Sequence, residues 1–106
     1  MSRYNTLTDQ PMPEPIADNG FSIHDLCLEK LHTQQAKDIM MARKQFGYDK
    51  YGTYLTVNNG RPVIDDLIME VADALAYAKQ GYMRGHDLDG IVNVLAIALD
   101  YLANLK

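Results

Sequence analysis

The chain has no tryptophan and one cysteine, Cys27, in 106 residues. A single cysteine excludes an internal disulfide framework and favours a reducing compartment. Basic residues are also few, because ten lysines and arginines face fourteen acids, a net charge of −4. That charge disfavours a nucleic-acid partner. No apolar run approaches the ~20 residues needed to cross a bilayer, and the polar N-terminus does not look like a signal peptide. We therefore expect a cytoplasmic protein that does not enter membranes.

The composition is that of one folded domain, with 47% hydrophobic and 23% charged residues. Three of the four prolines, Pro11, Pro13 and Pro15, lie near the N-terminus. They predict an extended arm over residues 1–21, followed by one helical domain over 22–106.

Helical periodicity predicts an all-α chain of three helices. The first covers residues 24–46, with an apolar stripe that runs from Leu28 through Ile39 to Phe46, and Gly47 is expected to end it. An ordered loop, or alternatively a short hairpin, is expected at 48–57. The second helix is expected from residue 63 to about 79 or 82, with Pro62 in its first turn, and the third over 88–105.

The predicted third helix is apolar around nearly its whole circumference. Such a helix must be covered on several sides, and three helices of one short chain offer little cover. We therefore expect a homo-oligomer, most simply a dimeric helical bundle.

Acidic side chains form a stripe on the predicted second helix. Asp66, Glu70, Asp73 and Tyr77 follow one another at intervals of four, three and four, so they lie on one narrow side of a helix. Carboxylates at this spacing can converge on a hard cation such as Mg²⁺, which is commonly held by one or two carboxylates together with water and substrate phosphates. The alternative interpretation is a solvated acidic helix face. The helix dipole accounts for acids in the first turn, such as Asp66, but not for Glu70 and Asp73 deeper in the helix.

These residues give the sequence its resemblance to a known family. The segment from Ala42 to Lys79, about 40 of the 106 residues, resembles the MazG-like, all-α nucleotide pyrophosphohydrolases, and among them small phage and prophage proteins. The matching residues are Arg43, Lys50-Tyr51-Gly52, Leu55, Asn58 or Asn59, Glu70, Asp73 and Tyr77.

The resemblance implies an Mg²⁺-dependent (or Mn²⁺-dependent) enzyme that splits a nucleoside triphosphate into a monophosphate and pyrophosphate. It implies that Glu70 and Asp73 are metal ligands. The spacing of the stripe adds Asp66 as a candidate third ligand or a group that orients water. A metal-held water would be the nucleophile. It also implies a dimer or a higher oligomer.

One departure from the family pattern keeps a second function open. In the family a facing helix supplies Glu-x-x-Glu, whereas the first predicted helix here offers only Asp25, Glu29 and Asp38. The alternative is a catalytically incomplete accessory protein of phage type on the same scaffold, which acts by binding a host or phage protein.

Basic and aromatic residues flank the acidic stripe in sequence. Arg43, Lys50 and Arg61 are candidate phosphate contacts, and Tyr77 is a candidate substrate contact. The other interpretation of the three cations is pairing with the acidic half or solvation. The tyrosines of the 48–57 segment either stack on a base or fill the gap between helix ends. The three histidines lack zinc-ligand spacing.

Overall fold

A computed structural model describes residues 22–105, and the predicted arm over 1–21 lies outside them. The described residues form four α-helices and contain no strand. The helices are α1 (Ile23–Cys27), which continues into a 3₁₀ turn (Leu28–Lys30), then α2 (Gln34–Tyr51), α3 (Val63–Met83) and α4 (Asp89–Leu105). The all-α prediction is confirmed, whereas the count of three helices is wrong.

The extra helix arises because the predicted first helix breaks in two. Leu31 adopts an extended conformation, and Thr33 begins a new helix by accepting a hydrogen bond at its side-chain oxygen from the backbone N–H of Ala36, at 3.2 Å. A threonine that caps a helix competes directly with continuation of the helix before it. Hydrophobic periodicity alone does not indicate this competition, so the break was not predicted.

The far end of α2 also differs from the prediction, because the helix continues through Gly47 and ends at Gly52. Gly52 adopts a left-handed conformation, with φ of 73°, and its N–H donates to the carbonyl of Tyr48 at 2.7 Å. A left-handed residue ends a helix most easily when it is glycine. Residues 52–62 then form the predicted loop, although its first part, 48–51, is helical.

The predicted apolar stripe of the first helix is not the side of α2 that is covered in the structure. Ile39 and Phe46 are exposed, whereas Ala36, Met40 and Lys44 are half-buried. These three recur every four residues and mark a different side of the helix. Helix α1 packs on α2, and the Asp25–Lys44 ion pair joins the two helices.

The described residues fall into two compact units, 22–61 and 62–105. In the first unit, the backbone N–H of Ile23 donates to the carbonyl of Leu55 at 2.8 Å, and so ties the loop to the start of α1. In the second unit, α3 packs against α4. The buried hydrophobic residues among those described, Ile68, Ala78 and Leu102, all lie in this helix pair.

The turn between α3 and α4 is a Schellman motif. The N–H of His86 donates to the carbonyl of Gly81 at 3.1 Å, and the N–H of Gly85 donates to the carbonyl of Tyr82 at 3.0 Å. Gly85 has a φ of 95°. Gly81 lies inside α3, where its missing side chain leaves room for Leu88, since an added Cβ would lie 2.6 Å from the Leu88 Cδ1 atom. The predicted bounds of α3 and α4 are otherwise close to those observed.

Candidate functional site

The acidic stripe lies within one uninterrupted helix, α3, as its spacing predicted. Asp66, Glu70, Asp73 and Tyr77 all fall between Val63 and Met83. A continuous helix holds these four residues on one side, over about three turns. The structure therefore keeps them in the relative register that the sequence suggested.

Three members of the stripe are exposed and one is half-buried. Glu70 and Asp73 are exposed, the Tyr77 ring is 73% exposed, and Asp66 in the first turn is half-buried. The backbone N–H of Asp66 donates to the carbonyl of Pro62 at 3.1 Å, which fixes the start of the helix. Asp65 and Asp66 together place negative charge at the helix N-terminus, where the dipole stabilises it.

The stripe offers two exposed carboxylates, Glu70 and Asp73, as candidate metal ligands. Within residues 22–105 no three histidine, cysteine or acidic side chains come together as a metal-holding group. Mg²⁺ keeps several waters and is commonly held by one or two carboxylates, with substrate phosphates completing its shell. Glu70 and Asp73, at i and i+3 on an exposed helix side, are carboxylates of that kind.

Three acids of the first unit, Asp25, Asp38 and Asp49, are engaged by close neighbours. Lys44 lies 3.0 Å from both carboxylate oxygens of Asp25. The amide of Gln34 donates to Asp38 at 2.8 Å, and the amide of Gln45 donates to Asp49 at 2.8 Å. Each of these carboxylates thus has a partner in its own unit.

The predicted phosphate contacts belong to the unit of residues 22–61. The Arg43 guanidinium lies 4.4 Å from the centroid of the Phe46 ring, and the Lys50 amine lies 5.2 Å from the centroid of the Tyr51 ring. These are cation–π contacts on the helix surface. The backbone N–H of Arg61 donates to the side-chain oxygen of Asn59 at 3.0 Å. The acidic stripe lies in the other unit, so the joint site of cations and carboxylates stays a prediction.

Two tyrosines of the 48–57 segment, Tyr48 in α2 and Tyr54 in the loop, pack on each other. The ring centroids of Tyr48 and Tyr54 are 4.5 Å apart at an interplanar angle of 31°, and the Lys44 amine lies 4.7 Å from the Tyr54 centroid. This contact ties the loop to the last turns of α2. It agrees with a packing role for these two rings, and both remain partly exposed.

The cluster around Lys44 was not predicted from the sequence. His24 lies beside this lysine and Arg43, and its pKa is lowered, chiefly by burial and next by the positive charge of Arg43. The buried Nδ1 atom of His24 has no hydrogen-bond partner among the described residues. Asp25 and Lys44 are 19 positions apart, and no local spacing predicts a contact at that separation.

One helix, α4, exposes a large apolar surface. Val94 is 62% exposed, Tyr101 is 65% exposed and Ile97 is 70% exposed. The sequence predicted an apolar circumference for this helix, and the structure shows which side α3 leaves uncovered. None of the helices described over residues 22–105 is both long and apolar enough to cross a membrane.

Comparison with known proteins finds no matching family model, no matching curated protein and no matching solved structure.

Proposed function

We propose that this chain binds a nucleoside triphosphate with Mg²⁺ (or Mn²⁺) through the acidic stripe of α3, and that it releases a nucleoside monophosphate and pyrophosphate. The observation that carries the proposal is the stripe itself, in which Asp66, Glu70, Asp73 and Tyr77 share one side of a single helix and three of them are exposed. The resemblance of residues 42–79 to MazG-like proteins supplies the reaction.

In this proposal the carboxylates of Glu70 and Asp73 hold the metal ion. The bound ion would supply positive charge against the phosphates and lower the pKa of a coordinated water. Asp66, one turn before Glu70, orients that water or adds a third oxygen ligand. Water hydrolyses the α,β-phosphoanhydride bond. One product gains an OH group from the water, and the other product gains the remaining proton.

The remaining residues of the proposal neutralise the phosphates of the nucleotide and pack against its base or sugar. A triphosphate carries about four negative charges, and two carboxylates add to that charge, so cations are required. Arg43 can meet phosphate oxygens as a planar fork, whereas Lys50 acts as a point charge, and Arg61 is the third proposed cation. The exposed ring of Tyr77 can pack against the base or the sugar.

The test is pyrophosphate release from a panel of ribo- and deoxyribonucleoside triphosphates with Mg²⁺ or Mn²⁺. Glu70→Gln and Asp73→Asn remove a charge and keep the shape, so each should lower turnover by at least ~10–100-fold, the range seen when even outer-shell metal partners are lost. Asp100→Asn is the matched control, because it removes an exposed acid from α4 and should leave turnover unchanged. Calorimetric titration with a non-hydrolysable triphosphate and Mg²⁺ tests binding separately.

The proposal is wrong if the wild-type chain neither binds nor hydrolyses any triphosphate of the panel. It is also wrong if both stripe variants retain full turnover. Binding without hydrolysis would keep the nucleotide site and remove the enzymatic step.

A second function is supported by different observations. The described residues hold no three-ligand metal group, and large apolar side chains are exposed on both units. A catalytically incomplete accessory protein of phage type, bound to a host or phage protein, would use such surfaces. This function predicts a stoichiometric complex that survives Glu70→Gln, measured by affinity capture and mass determination of the purified complex. Failure to isolate such a complex would count against it.

The proposed setting is the cytoplasm, which for a phage-encoded chain is that of the host. A reducing compartment suits the single Cys27. The proposed assembly is a homodimer.

A further inference from the structure

The exposed side of α4 carries a regular apolar stripe. Its members are spaced alternately by three and four residues, the a and d positions of a heptad repeat: Ile91, Val94, Ala98, Tyr101 and Leu105. Ile97 borders the stripe on one side. Leu102, which is buried in the α3–α4 pair, lies on the other side of the stripe, about 60° around the helix from its centre. The stripe therefore has the spacing of a coiled-coil seam over two heptads, and its large side chains are exposed, whereas Ala98 is half-buried.

The exposed apolar area of this stripe is at the lower limit for a specific interface. Its four large side chains and Ile97 are between 51% and 70% exposed. At roughly 150–220 Å² for each complete side chain, they would remove about 550 Å² of apolar surface per copy, or about 1,100 Å² when two stripes meet. A biological interface is expected to exceed about 1,000 Å².

The order of side-chain sizes along the stripe fits a second copy that runs antiparallel. In antiparallel coiled coils, a positions of one helix meet d positions of the other. That rule places Ile91 opposite Tyr101 of the second copy, and Val94 opposite Ala98 of the second copy. The large pairs then lie on either side of the small pairs at the centre, and Leu105 lies beyond the last pair, level with Asp87 of the second copy. A parallel pair would instead place Ala98 against Ala98 and leave a gap.

Charge allows the same arrangement. The acids of α4 are Asp89 and Asp100, and neither belongs to the stripe. In the antiparallel register Asp100 is level with Val92 of the second copy, and Asp89 is level with Ala103. No carboxylate therefore faces another across the contact. Asp100 lies about 140° around the helix from the stripe, so charge does not distinguish an antiparallel pair from a parallel one.

We infer that a second copy of this chain docks on the α4 stripe, antiparallel and centred near residue 96. This inference gives a surface and a register to the homodimer of the proposed function, and it uses none of the nucleotide chemistry. A monomeric chain that hydrolyses nucleotides would keep the proposed activity and overturn the docking of a second copy. A chain that dimerises without activity would do the reverse.

The test is the mass of the full chain in solution, by light scattering and sedimentation velocity over a range of concentrations. The wild type should approach about 24 kDa, twice its mass of 12.0 kDa. Val94→Glu places a charge in the seam and should give the monomer. Tyr101→Ser removes the largest side chain without adding charge and should raise the dissociation constant at least tenfold. Both side chains are exposed, so helicity by circular dichroism should not change.

The matched control is Val57→Glu, since this valine is 70% exposed in the loop of the other unit. It should leave the dimer intact. A wild-type monomer at every concentration would overturn the inference, and so would a dimer that survives both seam substitutions or one that Val57→Glu dissociates.

Crosslinking tests the direction of the two helices. In a Cys27→Ser background, the double variant Val94→Cys/Ala98→Cys should form disulfide-linked dimers under mild oxidation, whereas Val94→Cys alone should not. A disulfide requires Cα atoms within about 7 Å, and the antiparallel register brings position 94 next to 98. Efficient crosslinking of Val94→Cys alone would show a parallel pair and overturn the register.

Discussion

Two glycines inside helices should respond in opposite ways to the same substitution. Alanine is favoured over glycine in a helix interior by about 1 kcal/mol. At Gly47 in α2 an added Cβ meets nothing within 4 Å, so Gly47→Ala should gain that full amount. At Gly81 in α3 the added Cβ would lie 2.6 Å from the Leu88 Cδ1 atom, well inside an ordinary contact.

The magnitude at Gly81 follows from what Leu88 must do. If the leucine rotates, an off-rotamer side chain costs about 0.5–1.5 kcal/mol, and if the helices shift, overpacking costs typically ~1–3 kcal/mol. Set against the gain of about 1 kcal/mol, Gly81→Ala should change the free energy of unfolding by between about +0.5 and −2 kcal/mol. In a Leu88→Ala background the obstruction is absent, and Gly81→Ala should become stabilising by about 1 kcal/mol.

The assay is a double-mutant cycle on Gly81 and Leu88, with Gly47→Ala as the reference. Native-state hydrogen exchange follows the amides of α2 and α3 separately, so each unit reports its own free energy of opening. Thermal unfolding gives a second measure, at roughly 4–8 °C per kcal/mol for a chain of this size. Equal gains from Gly81→Ala with and without Leu88 would refute the close contact between α3 and the residue before α4.

Three further predictions concern the unit of residues 22–61. Thr33→Ala should destabilise α2 by about 1 kcal/mol and Thr33→Ser should not, as measured by hydrogen exchange, because the hydroxyl caps the helix; equal effects would contradict the cap. Because burial lowers the pKa of His24, the unfolded chain binds the proton more tightly. Stability should therefore be complete above the ordinary pKa of 6.5 and fall as the pH drops below it. His24→Gln should flatten that part of a pH series of denaturant titrations. In the same titrations Lys44→Met should lower the free energy of unfolding by at most about 1 kcal/mol, because the ion pair with Asp25 is partly exposed and Met keeps the apolar contact with Tyr54. A larger loss of stability would show that the ion pair behaves as a buried one.

Helices α3 and α4 were predictable because their signals are local. Pro62 precedes α3, Gly85 follows it in a left-handed conformation, and the apolar periodicity between them is continuous. The register of the acidic stripe depends on that periodicity alone. For the same reason the sequence placed Asp66, Glu70 and Asp73 on one side of a helix.

The first part of the chain was less predictable because non-local contacts decide it. A threonine cap at Thr33 splits the expected helix. Helix α1 covers the side of α2 that carries Lys44, although Ile39 and Phe46 on another side give the stronger apolar pattern. Exposed apolar residues carry the same periodicity as buried ones. Periodicity therefore located the helices and could not tell which side would be covered.

The short turn between α3 and α4 also affects the order of folding. Five residues separate the two helices, so closing this loop costs little entropy and the hairpin can form early. The hydrogen bond from Ile23 to Leu55 joins positions far apart in the chain, and it must wait until the intervening segment has become ordered. Residues 62–105 therefore provide a fast nucleus, and the N-terminal unit consolidates at a slower rate.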